Sequence, residues 1–555
     1  MSTSSTRSSR SKKARRRTPA AEADVALRVS ESAPVYDLPE RYWRIGVIVV
    51  FLIAAVLRLY DLNLVPLHHD EGVNGNFLVR LVRDGVYQYD PENYHGPTLY
   101  YFSAIIPWVT KLLFGNSARD TYGLTTFTIR LIPAIFGLAT IGLIFLLRRR
   151  LGTVATLAAG LMLAVSPGAV YLSRYFIHET LFVFFTLGIV VAGVWFYGKR
   201  NPSYLIPAAA SAALLFATKE TAMISGGVLI IALALTLVYM RFTRGTSRPI
   251  TAKRTLGHAD ILSEMGGARS IIVSVGLALI VFLAVYLLFY SSFFTNYKGI
   301  SDSLQTFAIW ARTGREAHVH SRSMYLTWLV KQESPLLFMG FMGAVIVVLK
   351  PKNSLALFCA LWSFGLIAAY SLIRYKTPWL LLNFVMPLAL IAGYGIQGIY
   401  EMEKGQLRVV AVFLLVALGV AGYQCVDLNF INYDNDNPRY VYVYAHTTRG
   451  TLDLVNEIEQ IAKQKDGGKT GITIISPDYW PLPWYLRNYS RVGYYGRMAA
   501  TTEPLIIAND KQKAEVDASY GEVYQQVPSK EPGGSFELRP GVKLLLYVRK
   551  SEFGG

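Results

Sequence analysis

"TLYYFSAIIPWVTKLLF", residues 98–114, is apolar enough to raise the question of a membrane span, barely long enough to be one, and carries Lys111. A bilayer core of about 30 Å asks for roughly 20 apolar residues in a helix. Whether this run crosses decides on which side everything after it lies. Stronger runs recur at roughly 43–60, 126–147, 151–172, 175–197, 203–218, 221–240, 271–293, 333–349, 353–373, 378–399 and 408–426. Basic residues cluster in the short loops between them: "RRR" at 148–150, "GKR" at 198–200, six Lys/Arg in 241–269, "KPK" at 350–352 and "EKGQLR" at 403–408. Short loops rich in Lys and Arg stay in the cytoplasm. With the N-terminus inside and 98–114 not crossing, all of these loops fall inside; with 98–114 crossing, all fall outside. The run is therefore read as a helix in the outer interface, its aromatics at headgroup level.

The expectation is an α-helical polytopic membrane protein in the cell membrane. It has about eleven transmembrane helices plus outer juxtamembrane helices, with the N-terminus cytoplasmic and the C-terminus outside. Residues 1–40 read as a disordered basic cytoplasmic tail: "STSSTRSSRSKKARRR" holds seven basic residues and no acid. It is not a signal peptide, because the apolar run starts too late and no cleavage pattern follows. Residues 41–426 form the transmembrane domain, with a first outer loop over 61–125. Residues 427–555 read as a small extracytoplasmic α/β domain. Its "GTLDLVNEIEQIAKQ" has helical apolar spacing, and "GITIIS", "PLIIA" and "VKLLLYV" read as buried strands. Its "DYWPLPWYLRNY", 478–489, reads as a stiff packed loop, with a stacking surface for sugar or lipid as the alternative.

The chain is 52% hydrophobic and only 17% charged, with a net charge of +18. Because the excess charge sits in loops between apolar runs, it serves topology and anionic headgroups and not nucleic acid. Both cysteines, Cys359 and Cys425, lie in apolar runs, so no disulfide framework is expected.

In this topology "VPLHHDEGVNGNF", 65–77, faces outside. Further ionisable residues sit at predicted outer ends of spans: Arg174, His178 and Glu179; Lys219 and Glu220; Lys331 and Glu333; Arg374 and Lys376. Charge at such depth is costly and marks functional cavities, although each residue alone could be snorkelling or salt-bridged. Carboxylates and cations meeting at a membrane face suit transfer of a sugar from a lipid phosphate. Arg and Lys stabilise the leaving phosphate, and a carboxylate takes the proton from the attacking hydroxyl. Asp70 and Glu71 could instead simply cap the helix that follows.

These motifs carry a resemblance. "HHDEG" after the first span, then "YHGPTLYYF", "TIRLIPAIFG", "SRYFIHETLFVFF" and "RYKTPW", resemble the GT-C glycosyltransferases over roughly 45–430. Within them the chain is similar to the protein O-mannosyltransferase and lipid A aminoarabinose transferase branch. It is more similar still to the prokaryotic family of flippase-associated membrane proteins of N-glycosylation. The resemblance implies a GT-C fold and an inverting glycosyltransferase using a polyprenyl-phosphate sugar, with Asp70 as catalytic base and Glu71 completing the pair. Taken together with the ionisable residues at the outer ends of the spans, the expected substrate contacts are His69, His95, Arg174, His178, Glu179, Lys219, Glu220, Arg374 and Lys376. The relatives' Lys-Pro-Pro or His-Pro-Pro reads His95-Gly96-Pro97 here. Where the aminoarabinose branch has aspartate, this chain has Glu179. The partners expected are a polyprenyl-phosphate-linked sugar donor, a glycan, lipid or protein acceptor, and membrane lipids.

No cofactor is fixed by the sequence. A divalent metal at His69, Asp70 and Glu71, with His68 and His95 nearby, is an open reading without the sharp spacing of a known site. The loop 294–324, with His318, His320 and three arginines, reads as a substrate lid or a plain surface loop. The alternative function is a non-enzymatic, flippase-associated protein that handles lipid-linked sugars with the same cationic cavity. A secondary transporter is disfavoured, since no two similar halves and no broken mid-span segments appear.

Overall fold

The computed structural model of the chain describes residues 37–92, 95–115, 123–245, 265–316 and 319–552. Most of the basic tail, most of the basic loop 241–269 and His318 lie outside the described residues. The helices in chain order are α1 (Glu40–Leu59), α2 (His69–Asp84), α3 (Thr98–Phe114), α4 (Thr126–Phe145), α5 (Thr153–Val165), α6 (Pro167–Ser173), α7 (Glu179–Lys199) and α8 (Leu205–Phe216, preceded by a 3₁₀ turn, Pro202–Tyr204). They continue with α9 (Ala222–Gly245), α10 (Gly267–Tyr290), α11 (Lys298–Glu316), α12 (Met324–Gln332), α13 (Ser334–Leu349), α14 (Ser354–Leu372), α15 (Leu382–Met402) and α16 (Leu407–Val426).

Among the described residues, eight helices are long and apolar enough to cross a membrane, and ten if the pairs α5–α6 and α12–α13, bent by 64° and 111°, each count as one span. α15 is central, with 89% of its apolar window inside the protein, whereas α10 shows 6% and turns its apolar surface outward. Hydrogen bonds fix the path of the chain. Arg130, in the second turn of α4, donates to the carbonyls of Leu62 and Val65, both at 2.8 Å. The chain thus leaves the bundle after α1 and re-enters it at α4 on the same end, and α3, lying between, does not carry it across. At the opposite end Arg148 reaches Glu40 at the start of α1.

The fifteen-residue stretch Pro202–Phe216 falls short of the length test. It nevertheless runs from the Arg148 end to the Arg130 end. Lys199, just before it, follows Gly198, which abuts Arg150, and Thr218, just after it, accepts from the backbone N of Gly96 in the first loop. With this short helix beside the eight long ones and the two bent pairs, the described residues hold eleven apolar segments that run between the two ends of the bundle.

Beyond α16 lies the α/β domain. Its helices are α17 (Gly450–Lys463) and α18 (Lys513–Tyr520), and its strands are β1 (Ile472–Ile474), β2 (Val492–Tyr494), β3 (Leu505–Asn509), β4 (Tyr524–Gln526), β5 (Phe536–Arg539) and β6 (Val542–Arg549). The sheet order is β2-β1-β3-β6-β4, with β5 also on β6. β1 runs parallel to β2 and β3, while β3, β4 and β5 are each antiparallel to β6. One sheet face packs against α17 through Leu454, Ile458 and Ile461. Ile506, Leu545 and Tyr547 on the other face meet Val516 of α18.

The domain docks on α2 through the aromatic loop. A Cβ on Gly72 would lie 2.5 Å from Pro481 Cβ, and one on Gly75 would lie 2.5 Å from Trp484 Cε3. Three residues apart, these glycines share one helix face, and their missing side chains are the socket. Tyr485 Oη accepts from Leu67 N at 2.8 Å, and Arg487 donates to Leu124 O at 2.7 Å. The packed-loop reading of 478–489 therefore describes these contacts, and its packing partner is the first loop.

Candidate active site

His68 is the N-cap of α2. Its Nδ1 accepts from Asp70 N at 3.1 Å, so the ring proton sits on Nε2, which donates to Tyr444 O at 3.0 Å. Glu71 closes the cap by accepting from His68 N at 3.0 Å. Its carboxylate is fully buried. It also accepts from Arg130 Nε at 2.7 Å, Arg130 Nη2 at 2.5 Å and Phe176 N at 2.7 Å. A carboxylate with this many donors has no lone pair left for a substrate proton. The expectation of Glu71 as a catalytic residue completing the pair with Asp70 is corrected: it knits α2 to α4 and to the α6–α7 link, as the capping alternative held.

Asp70, one residue earlier, points elsewhere and keeps 29% of its side-chain surface exposed. It lines a polar chamber of about 310 Å³ together with His68, His69, Asn74, His95, His178, Glu179, Tyr375, Trp379, Tyr444 and Arg539. Burial pushes the His69 imidazole below its ordinary pKa, with the Asp70 carboxylate opposing the shift. A second cavity of about 720 Å³ adjoins the first and shares His95, Trp310 and Tyr375 with it. It holds Lys219, Glu220 and Arg374, and its remaining wall is apolar, with Met223 and Leu372 largely exposed on the outer surface of the bundle.

The backbone explains how His95 reaches this boundary. Gly96 N donates to Thr218 O at 3.1 Å and Thr98 N to Ala217 O at 3.3 Å, laying the first loop against the end of α8. A Cβ at position 96 would sit 2.1 Å from Ala217 O. Only glycine permits the approach, so the Gly96 departure from the relatives' pattern has a local cause. His95 Nδ1 then bonds Glu220 Oε2 at 2.9 Å, and its ring stacks on Trp310 with centroids 5.2 Å apart. His178 donates through Nε2 to Gly96 O at 2.9 Å. Its Nδ1 is buried without a hydrogen-bond partner among the described residues. Glu179 and Lys219, both almost completely buried, pair at 2.5 Å.

Three expectations need correction. Arg174 lies outside both cavities; it donates to the carbonyls of Leu57, Tyr60 and Asp61 and covers the Phe430 ring, clamping the end of α1. Lys376 is buried and turned back onto the carbonyls of Ser371 and Ile373 at the end of α14, with its ammonium 5.4 Å from the Tyr325 centroid. Its charge satisfies a helix C-terminus and does not enter the cavity, whereas Arg374 does. Lys331 reaches Pro438 O, and Glu333 is enclosed by Ser166, Gly168 and Tyr442, so neither joins the cavities. Finally, no three His, Cys, Asp or Glu side chains converge as a metal site requires among the described residues, and Glu71 is committed to Arg130. The metal reading of His69, Asp70 and Glu71 lacks a geometry.

Sequence reasoning missed several contributors. Trp310 sits on α11, in a stretch expected to be a loop, although its i, i+4 pair Lys298–Asp302 and amphipathic pattern are helical signals. Arg539 comes from the end of β5 and bonds Asp478, and nothing near it in the sequence signals a site.

A family model described as dolichyl-phosphate-mannose-protein mannosyltransferase matches residues 104–256. Among solved structures, ArnT from Cupriavidus metallidurans bound to undecaprenyl phosphate matches with a TM-score of 0.58 at 15% identity, covering 90% of this chain and 97% of that one. This chain has the GT-C glycosyltransferase fold. The GT-C likeness extends to the archaeal oligosaccharyltransferase AglB from Archaeoglobus fulgidus, in complex with an inhibitory peptide and a dolichol-phosphate. There the TM-score is 0.51 at 14% identity, over 90% of this chain and 74% of AglB. No curated protein sequence matches.

Proposed function

We propose that the protein is an inverting glycosyltransferase that takes a sugar from a polyprenyl-phosphate donor at the outer membrane face. One observation carries the reading: Asp70 stands in a polar chamber separated only by His95, Trp310 and Tyr375 from a larger, apolar-walled cavity containing Arg374 and Lys219. A lipid phosphate in the larger cavity meets Arg374, whose guanidinium matches phosphate geometry, and the Glu220-backed imidazole of His95. The sugar then lies at the shared wall, with its anomeric carbon toward the smaller chamber. Asp70 accepts the proton of the attacking hydroxyl. The new bond to the anomeric carbon forms as the bond to the phosphate oxygen breaks, and the phosphate leaves with the electron pair. Attack from the face opposite the phosphate inverts the centre. Glu71 serves as a positioning residue for α2. The fold likeness supports the ligand class, since the ArnT and AglB structures hold undecaprenyl phosphate and dolichol-phosphate. Loop charge supports the sidedness, with the N-terminus in the cytoplasm and the α/β domain outside.

The test is turnover of a labelled polyprenyl-phosphate sugar by the full chain in proteoliposomes. Asp70→Asn keeps volume and removes the base, so turnover is expected to fall about 10²–10⁴-fold with donor binding retained. Near-normal turnover overturns the assignment. Donor binding without turnover in the wild type leaves the flippase-associated alternative standing.

A further inference from the structure

The α/β domain turns one edge of its sheet toward the site. β1, β2 and β3 are parallel, and β3 and β5 run the same way because both oppose β6. Their carboxyl ends therefore lie on one edge, the edge whose loop 480–485 seats on α2. From β1 the chain departs to β2 on one side, and from β3 it departs through α18 to β4 on the other. Where connections leave neighbouring strands in opposite directions, a crevice opens beyond their carboxyl ends, and in open α/β sheets that crevice binds ligands.

Such a crevice is present. Asp478 after β1, Arg497 after β2, and Asn509 and Lys511 at the end of β3 line a cleft of about 540 Å³ with Gln512 and Glu515. This lies within the usual range for small-molecule sites, about 300–1,000 Å³. It is also connected to the chamber. Arg539 lines the Asp70 chamber, Asp478 lines the crevice, and the two side chains bond each other. This pair forms the wall between the two spaces.

We propose that the crevice holds the distal sugars of a neutral, hydroxyl-rich glycan acceptor whose reactive hydroxyl reaches Asp70 past the Asp478–Arg539 pair. This rests on the reading of Asp70 as the base. The lining selects the ligand class. Two carboxylates stand against two cations, so a phosphate or other anion meets repulsion as well as attraction. Planar carboxylate, amide and guanidinium groups suit paired hydroxyls. Apolar contacts are few, Pro477 and Met498 among them, so the aromatic or aliphatic anchor of a protein partner has no pocket to fill.

The experiment uses the full chain in nanodiscs and saturation-transfer NMR with maltotriose, mannotriose and triacetylchitotriose, beside inorganic phosphate and a Ser/Thr-rich peptide. At least one trisaccharide is expected to bind, and Arg497→Ala with Glu515→Ala is expected to weaken it about tenfold or more. Lys511→Gln, at an exposed residue, gives the same direction should the double variant fold poorly. Asp70→Asn is expected to bind the same sugar normally. Glycan binding that depends on Arg497 and Glu515, together with normal turnover in Asp70→Asn, would remove the base and leave the crevice. Binding by no trisaccharide, binding indifferent to these variants, or binding of the peptide or phosphate alone overturns the proposal.

Discussion

Removing the Glu71 carboxylate strands Arg130, a guanidinium with 2% of its surface exposed. Breaking one partner of a buried pair costs about 3–5 kcal/mol, so Glu71→Ala is expected to lower the unfolding midpoint sharply, whereas Asp70→Asn leaves it nearly unchanged. Thermal unfolding in matched detergent reads the difference, and equal midpoints would reject the division of labour. Arg374 and Lys376 part in the opposite sense. Arg374→Gln is expected to weaken donor binding by roughly 1.5–3 kcal/mol, the worth of a charged hydrogen bond. Lys376→Gln is expected to leave donor affinity intact and destabilise the end of α14; donor titrations of the two single variants decide. Both pairs of neighbours were legible in the sequence as charges in the wrong place, and their roles were not. Asp70 and Glu71 are successive on α2 and point about 100° apart, while Arg374 and Lys376 flank Tyr375 in the loop after α14. Which one meets a cavity depends on Arg130, 59 positions away, or on the last carbonyls of a preceding helix.

The meeting of α2 with the aromatic loop is the joint on which the chamber depends, because Arg539 and Tyr444 reach it only from the C-terminal side of the joint. Gly75→Leu places a side chain where Trp484 already lies. Overpacking costs about 1–3 kcal/mol, and the expected outcome is faster proteolytic release of residues beyond 430 together with loss of sugar transfer. Unchanged protease protection would mean that the domain is held by other contacts. The strong elements here were readable: α17, β1, β3 and β6 announce themselves by apolar spacing or by unbroken apolar runs. β2 and β4 are three residues each, with partly exposed patterns, and too short to show a period. The aromatic loop shows stiffness in its own residues but gives no sign of the two glycines, some 400 positions earlier, that receive it.

For the whole molecule the first test is sidedness. A cysteine placed at residue 255 is expected to react only from the cytoplasm and one at residue 120 only from outside; the native Cys359 and Cys425 are buried and stay silent. Labelling of both from one side would put α3 across the membrane. The apolar segments were legible because each leaves an apolar run in the sequence. The bend at α5–α6 was not, since it falls at Ser166 in a run without charge, while that at α12–α13 falls on the Lys331–Pro335 stretch, where the sequence showed charge but not the angle of the bend. One pass has a mechanical consequence. Pro202–Phe216 rises about 23 Å, against a hydrocarbon slab of about 30 Å, and it ends directly before Lys219 and Glu220 in the larger cavity. A span this short is accommodated by thinning the adjacent leaflet. On the proposed reading, a leaflet thinned beside the cavity is expected to bring a lipid phosphate level with Arg374, so that it enters sideways without first being lifted out of the membrane.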